Sequence, residues 1–214
     1  MRRVIVMLGF PASGKGTQAE ILAKKISARI IGVGDLVRAE IENSKNAKRI
    51  VQIKENYDRG IPQKDVIIES LVEEAVKKSS GSLIFDNFPY SESQIKFFQQ
   101  LLVKYNLPVP IVIYIKISKE SAVKRISKRK ICDTCDEIYL SGNIGDHCKK
   151  CAGRLIQRDD DKPEVVRERI EHARPRIEMV VNHFRKQNWL VYEINGEPFI
   201  DKVTKEINQK LNAR

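Results

Sequence analysis

Two short stretches of the chain hold residue types whose spacing could do chemistry. The first is Gly9-Phe10-Pro11-Ala12-Ser13-Gly14-Lys15-Gly16-Thr17, which carries Gly-x4-Gly-Lys. Glycines so arranged let backbone N–H groups wrap around a phosphate, and a helix opening behind them adds the positive end of its dipole. In such a loop Gly14 and Gly16 keep the backbone close to the nucleotide, Lys15 holds its β- and γ-phosphates, and Thr17 helps place Mg2+. The strict pattern has Ser or Thr directly after the lysine, whereas Gly16 intervenes here. The plain alternative is a glycine-rich turn that binds nothing. The second stretch is Cys132-x2-Cys135-x12-Cys148-x2-Cys151, which gathers all four cysteines of the chain. Each Cys-x-x-Cys turn presents two sulfurs to one ion, so the spacing points to a zinc site of four thiolates, with redox dithiols or free thiols as the alternatives. His147 could replace Cys148, although their adjacency argues for a bystander.

A phosphate loop works only between a strand and a helix. Val4 to Leu8 is a continuous apolar run ending at Gly9, as suits a strand buried on both faces of a parallel sheet. Behind the loop, Ala19, Leu22, Ala23 and Ile26 recur at helical spacing. A second strand is predicted around Ile30 to Val33, before a helix starting near Asp35, a residue type that caps N-termini. Ser82 to Phe85, Ile111 to Ile117 and Leu190 to Ile194 complete a set of five strands, and Pro198 can start a final helix. Strands alternating with helices predict an α/β fold, a doubly wound parallel five-stranded sheet. Two segments break the alternation. Residues 34–62 read as two helices with no strand between them, and residues 130–157 carry the cysteines but no long apolar period. The helix predicted over Lys162 to Gln187 contains Pro175, where a kink is expected.

The Gly-Lys-Gly-Thr-Gln ending, Gly14 to Gln18, is the variant found in nucleoside monophosphate kinases, and the chain from Val4 to about Leu211 resembles an adenylate kinase. The resemblance implies a P-loop core over residues 1–31, 64–128 and 159–214, a helical monophosphate-binding insertion over 32–63, and a small zinc-binding lid over 129–158. It implies reversible, Mg2+-dependent phosphoryl transfer from ATP to AMP, giving two ADP. Gly34 to Arg38 looks like the start of the insertion, with Arg38 clamping the acceptor phosphate, and Gly60 to Gln63 like the segment lining the acceptor base. Asp86-Asn87-Phe88-Pro89-Tyr90 takes the place of the family's Asp-Gly-Phe-Pro-Arg, with Asp86 orienting Mg2+ through water, and Gln94 would read the adenine edge. Arg125 and Arg129 resemble the pair before the lid, one packing on the ATP adenine and one touching its phosphates. Arg158, in Arg158-Asp159-Asp160-Asp161, would swing onto the transferring phosphate, and Arg169 would bridge donor and acceptor. Some members of the family hold the lid with zinc, so the metal is expected to be structural. Residues 130–157 have too little core to fold unaided.

Phosphoryl transfer spreads charge over oxygens held in line, so positioning and electrostatics carry the catalysis, and arginine's planar fork suits two phosphate oxygens. No histidine base is needed. The departures from the family all fall on the acceptor side: Tyr90 for an arginine, Val33 for Thr or Ser, and Asn87 for glycine. UMP or CMP as acceptor therefore stays open beside AMP, as does an ATP-binding protein without transferase activity.

The 214 residues are 42% apolar and 31% charged, as befits a folded chain, with a net charge of +11 that suits a polyanionic partner. The stacking aromatics of a single-strand nucleic-acid binder are missing, so no nucleic-acid partner is expected. No run reaches the ~18 apolar residues of a spanning helix, and Ser13 to Gly16 follows the first apolar run where a signal peptide would have a cleavage site. The expectation is a cytoplasmic protein with no membrane partner, and, from the resemblance, a monomer.

Overall fold

β1 (Val4–Gly9) is buried along its whole length, and its alternation explains the two-layered core. Val4, Val6 and Leu8 face one apolar cluster, while Ile5 and Met7 face another on the opposite side of the sheet. A strand sandwiched in this way must be apolar at every position, and so reads as an unbroken run. The computed structural model describes residues 2–44, 46–58, 61–135, 137–157, 161 and 163–212.

After β1 the chain forms α1 (Lys15–Ile26), β2 (Ala28–Gly32), α2 (Val33–Asn43), α3 (Ala47–Asp58), α4 (Asp65–Lys77) and β3 (Ser82–Asp86). It continues through α5 (Glu92–Lys104), β4 (Ile111–Lys116) and α6 (Lys119–Lys128) into a small three-stranded antiparallel sheet. That sheet is built from β5 (Lys130–Cys132), β6 (Ile138–Tyr139) and β7 (Leu155–Ile156), in the order β6-β5-β7. α7 (Pro163–Lys186), β8 (Val191–Asn195) and α8 (Ile200–Asn212) close the fold. The main sheet is five-stranded and parallel, in the order β2-β3-β1-β4-β8. Leu22 of α1 and Val203, Ile207 and Leu211 of α8 cover the face of Ile5 and Met7; α4, α5 and α7 cover the other. Phe184 and Trp189 stack at 4.3 Å in that second cluster, a packing role for the chain's tryptophan. Among the described residues no helix is long and apolar enough to cross a membrane.

Two expectations change. β2 ends at Gly32, so Val33 is the first residue of α2 rather than the end of a strand. Asp35 consequently lies in the first turn of α2, where its charge favours the helix dipole, and Gly32 holds the cap position. A Cβ on Gly32 would lie 2.7 Å from Asp35 Oδ2, so the carboxylate folds back over the spot that a larger cap residue would fill. The cysteine segment is a sheet whose strands are too short to leave a period in the sequence. α7 continues through Pro175 to Lys186.

Candidate active site

Open α/β sheets bind ligands at the C-terminal ends of their strands. β1 ends at Gly9 and β3 at Asp86, which sits in register between Met7 and Gly32. The segment after β1 forms a tight loop in which Ser13 N–H donates to Phe10 O at 3.0 Å. A Cβ on Gly9 would stand 2.4 Å from Ser13 Oγ and 2.7 Å from Ile115 O, so a side chain there would push the loop off the sheet. Gly14 has open space around it, but its φ of +90° is one that L side chains rarely adopt. It caps α1 with no side-chain hydrogen bond, which leaves the first N–H groups of the helix for an anion.

Lys15 Nζ curls over this loop and donates to Phe10 O at 3.4 Å. Burial pushes its pKa below the usual lysine range; Asp86 opposes that shift, while Arg129 and Arg169 add to it. Burial pushes the Asp86 carboxyl up, against the pull of Lys15 and with help from Asp35. The structure thus brings Lys15, Asp86, Arg129 and Arg169 into one electrostatic neighbourhood. Asp86 Oδ1 is buried with no hydrogen-bond partner, and Oδ2 lies 3.8 Å from where a Cβ on Gly16 would be. A half-buried carboxylate with Oδ1 unspent and Oδ2 near the turn before Thr17 fits a hydrated divalent cation.

Two arginines are fixed from behind. Arg129 Nε donates to Asp161 Oδ2 at 2.9 Å and a terminal nitrogen donates to Oδ1, a two-pronged pair with a carboxylate only 1% exposed. Arg125 ties the loop to the segment after β8, donating to Ala12 O at 3.4 Å, Gly196 O at 2.8 Å and Glu197 O at 3.0 Å. Hydrogen bonds in its plane leave the faces of the Arg125 guanidinium for stacking on a base. Arg158 lies outside the described residues, as do Arg59 and Gly60.

Beside this centre is a cavity of about 660 Å3, a volume that suits a small-molecule site. Val33, Gln63, Tyr90 and Gln94 all line it, together with Asn87 and Arg176; Arg38 is not among its lining and pairs with Asp35 on α2. Gln94 is largely spoken for: its Oε1 accepts from Tyr90 N–H at 2.8 Å and its Nε2 donates to Asp65 Oδ1 at 2.7 Å. One N–H and one lone pair remain to read a base. Asp65 also accepts from Ser91 at 2.7 Å and from Ser93. Burial would raise its pKa, but these hydrogen bonds hold its carboxyl below the usual range. Gln63 Nε2 donates to Ile53 O at 2.9 Å, and its Oε1 is buried without a partner. Asn87 takes φ +60°, the left-handed region that favours glycine and that asparagine tolerates, which accounts for the Gly-to-Asn departure. Burial pushes the Tyr90 phenol up to about 12, against Arg176 and Arg169, so it is a neutral donor at physiological pH.

Sequence reasoning passed over Asp161 as a partner and Arg176 altogether. Only the spacing of Arg176, seven residues after Arg169 and so on the same helix face, could have drawn attention to it.

The four cysteine sulfurs lie within 4.8 Å of one another, with Cys132 to Cys151 at 3.4 Å and Cys135 to Cys148 at 3.6 Å. A tetrahedral zinc with bonds of about 2.3 Å spaces its sulfurs by roughly 3.8 Å, so this set can hold such an ion. Backbone N–H groups of Thr134 and Lys150 donate to the sulfurs of Cys132 and Cys148 at 3.4 and 3.3 Å. The Tyr139 hydroxyl beside Cys148 holds that thiol down, at about 6. A Cβ on Gly153 would lie 2.7 Å from Cys132 Sγ, so the turn around the cluster admits only glycine without a shift. His147 bridges to Arg154 in backbone pairing and is not part of the group.

The family model described as adenylate kinase matches residues 7–189. Among curated proteins, the adenylate kinase of Petrotoga mobilis is 35% identical over 98% of this chain and 97% of its own length. That of Thermosipho melanesiensis is 34% identical over 95% and 96%, and that of Archaeoglobus fulgidus 32% identical over 97% and 97%.

Proposed function

The chain belongs to the adenylate kinase family and is an ATP:AMP phosphotransferase; we propose that Lys15, Arg129, Arg158 and Arg169 carry the transfer. An oxygen of the AMP phosphate attacks the γ-phosphorus of ATP in line, the bond to the β–γ bridging oxygen breaks, and ADP is formed on both sides. The nucleophile is already an anion, so what the protein must supply is alignment and positive charge. Gly14 and Gly16 cradle the ATP phosphates, Lys15 neutralises the leaving oxygens, and Arg129, Arg158 and Arg169 gather the equatorial oxygens. Arg125 offers a face to the ATP base. Arg38 holds the acceptor phosphate, and Val33, Gln63, Tyr90 and Gln94 receive the acceptor nucleotide. Thr17 and, by way of water, Asp86 would hold Mg2+, which would supply charge neutralisation at the ATP phosphates. The convergence of Lys15, Asp86, Arg129 and Arg169 beside a nucleotide-sized cavity is the observation that supports this assignment most strongly.

In this reading residues 1–31, 64–128 and 159–214 form the core, 32–63 the acceptor insertion and 129–158 a lid. The lid closes to exclude water from the phosphates. Cys132, Cys135, Cys148 and Cys151 hold a structural zinc, with four protein ligands and no open position for catalysis. The protein works as a cytoplasmic monomer. The test is to incubate it with MgATP and, separately, AMP, UMP, CMP, GMP and dTMP, and to quantify the diphosphates. Rapid ADP formation with AMP is expected; transfer confined to another monophosphate, or none, overturns the reading.

A further inference from the structure

Arg176 is a cation that the reaction as described leaves unused. It lines the acceptor cavity with Asn87, Tyr90 and Gln94, and its guanidinium carbon stands 5.6 Å from the centroid of the Tyr90 ring. Among the described residues its N–H groups make no hydrogen bond or ion pair. The carboxylates facing the same cavity are those of Asp65 and Glu92. Neither makes an ion pair with Arg176, although the Arg176 charge helps hold the Asp65 carboxyl down, and Asp65 is already engaged by Ser91, Ser93 and Gln94.

A guanidinium lying on an aromatic face is fixed in orientation, yet keeps its edge of donors, and that edge binds phosphate bidentately. Its position along the helix gives the direction. Arg169 and Arg176 leave the same face of α7, and helical side chains lean towards the N-terminus, so Arg176 reaches back towards Arg169. Tyr90 lies in the field of both cations. An anionic oxygen placed at the Tyr90 hydroxyl would therefore meet a neutral donor in the field of two positive charges.

We propose that Arg176 holds the 5′-phosphate of the acceptor nucleotide, with the Tyr90 ring as its shelf. The positive charge that the resemblance expects at position 90 is then supplied from α7, across the cavity. This rests on the acceptor reading given above, and comparing AMP with adenosine separates the two. Calorimetric titration of the full-length protein and of Arg176→Ala with both ligands is the experiment. Arg176→Ala should weaken AMP about 10- to 100-fold, the loss of a hydrogen-bonded charge, and change adenosine less than twofold. Arg176→Lys keeps the charge but not the fork, and should fall between the two. Adenosine binding also reports that each variant is folded. AMP affinity within twofold of wild type in Arg176→Ala, or equal weakening of AMP and adenosine, overturns the proposal alone. Failure of the wild-type protein to bind AMP overturns the proposal and the acceptor reading together.

Discussion

Asp161 directs both carboxylate oxygens at a single guanidinium, that of Arg129, and the two side chains are 1% and 13% exposed. Asp161→Leu strands that guanidinium in a desolvated place, and removing one partner of a buried pair costs about 3–5 kcal/mol. In a chain of 214 residues each kcal/mol moves the melting midpoint by roughly 2–4 °C, so a fall of about 6–20 °C is expected. The double variant Arg129→Met/Asp161→Leu replaces the pair with apolar groups of similar bulk, an exchange that is often neutral or stabilising. It should melt close to wild type. Turnover should stay low, because Arg129 lies in the field of Lys15, and losing a preorganised cation there costs roughly 100- to 1000-fold in kcat. Thermal unfolding followed by circular dichroism, with a coupled ADP assay, reads both quantities. A single variant melting within about 2 °C of wild type, or a double variant whose losses merely add, refutes the reasoning.

If Cys132, Cys135, Cys148 and Cys151 hold a structural metal as proposed, chelating it should release the small sheet while the main sheet persists. Hydrogen exchange should then lose protection in β5–β7 and keep it in β1 and β4; loss in both sheets, or in neither, contradicts a metal confined to stabilising the lid. Because burial lowers the Lys15 pKa, its charge is lost, as pH rises, before the ordinary value of 10.5. The alkaline limb of kcat/KM for ATP should therefore fall below pH 10.5, and a limb at or above that value removes the case for a desolvated Lys15.

Much of the fold and part of the site could be read from the chain itself. β1 with its phosphate loop is contiguous: each glycine acts on the backbone of its own turn, so residue types at fixed offsets suffice. The cysteines are nearly as local, because each Cys-x-x-Cys sets two sulfurs on one turn and only the meeting of the two turns is left to the fold. Alternation of apolar segments with helical ones likewise implied a parallel sheet, since helical crossovers joining parallel strands cover both faces of strands that are apolar on each side. The end of β2 differs from expectation because Val33 favours strands by type, whereas the structure makes it the first residue of α2 behind the Gly32 cap.

What tertiary structure alone decided is which distant groups spend their hydrogen bonds on one another. Gln94 has half its amide committed to Tyr90 and Asp65, Arg129 is held by a carboxylate on the far side of the cysteine segment, and Arg176 lies on a tyrosine contributed by the loop after β3. A local motif is constrained by bond lengths and dihedral angles, which travel with the sequence. A pair joined across the core is constrained by how helices seat on a sheet, a balance of packing and desolvation over the whole chain that no spacing encodes.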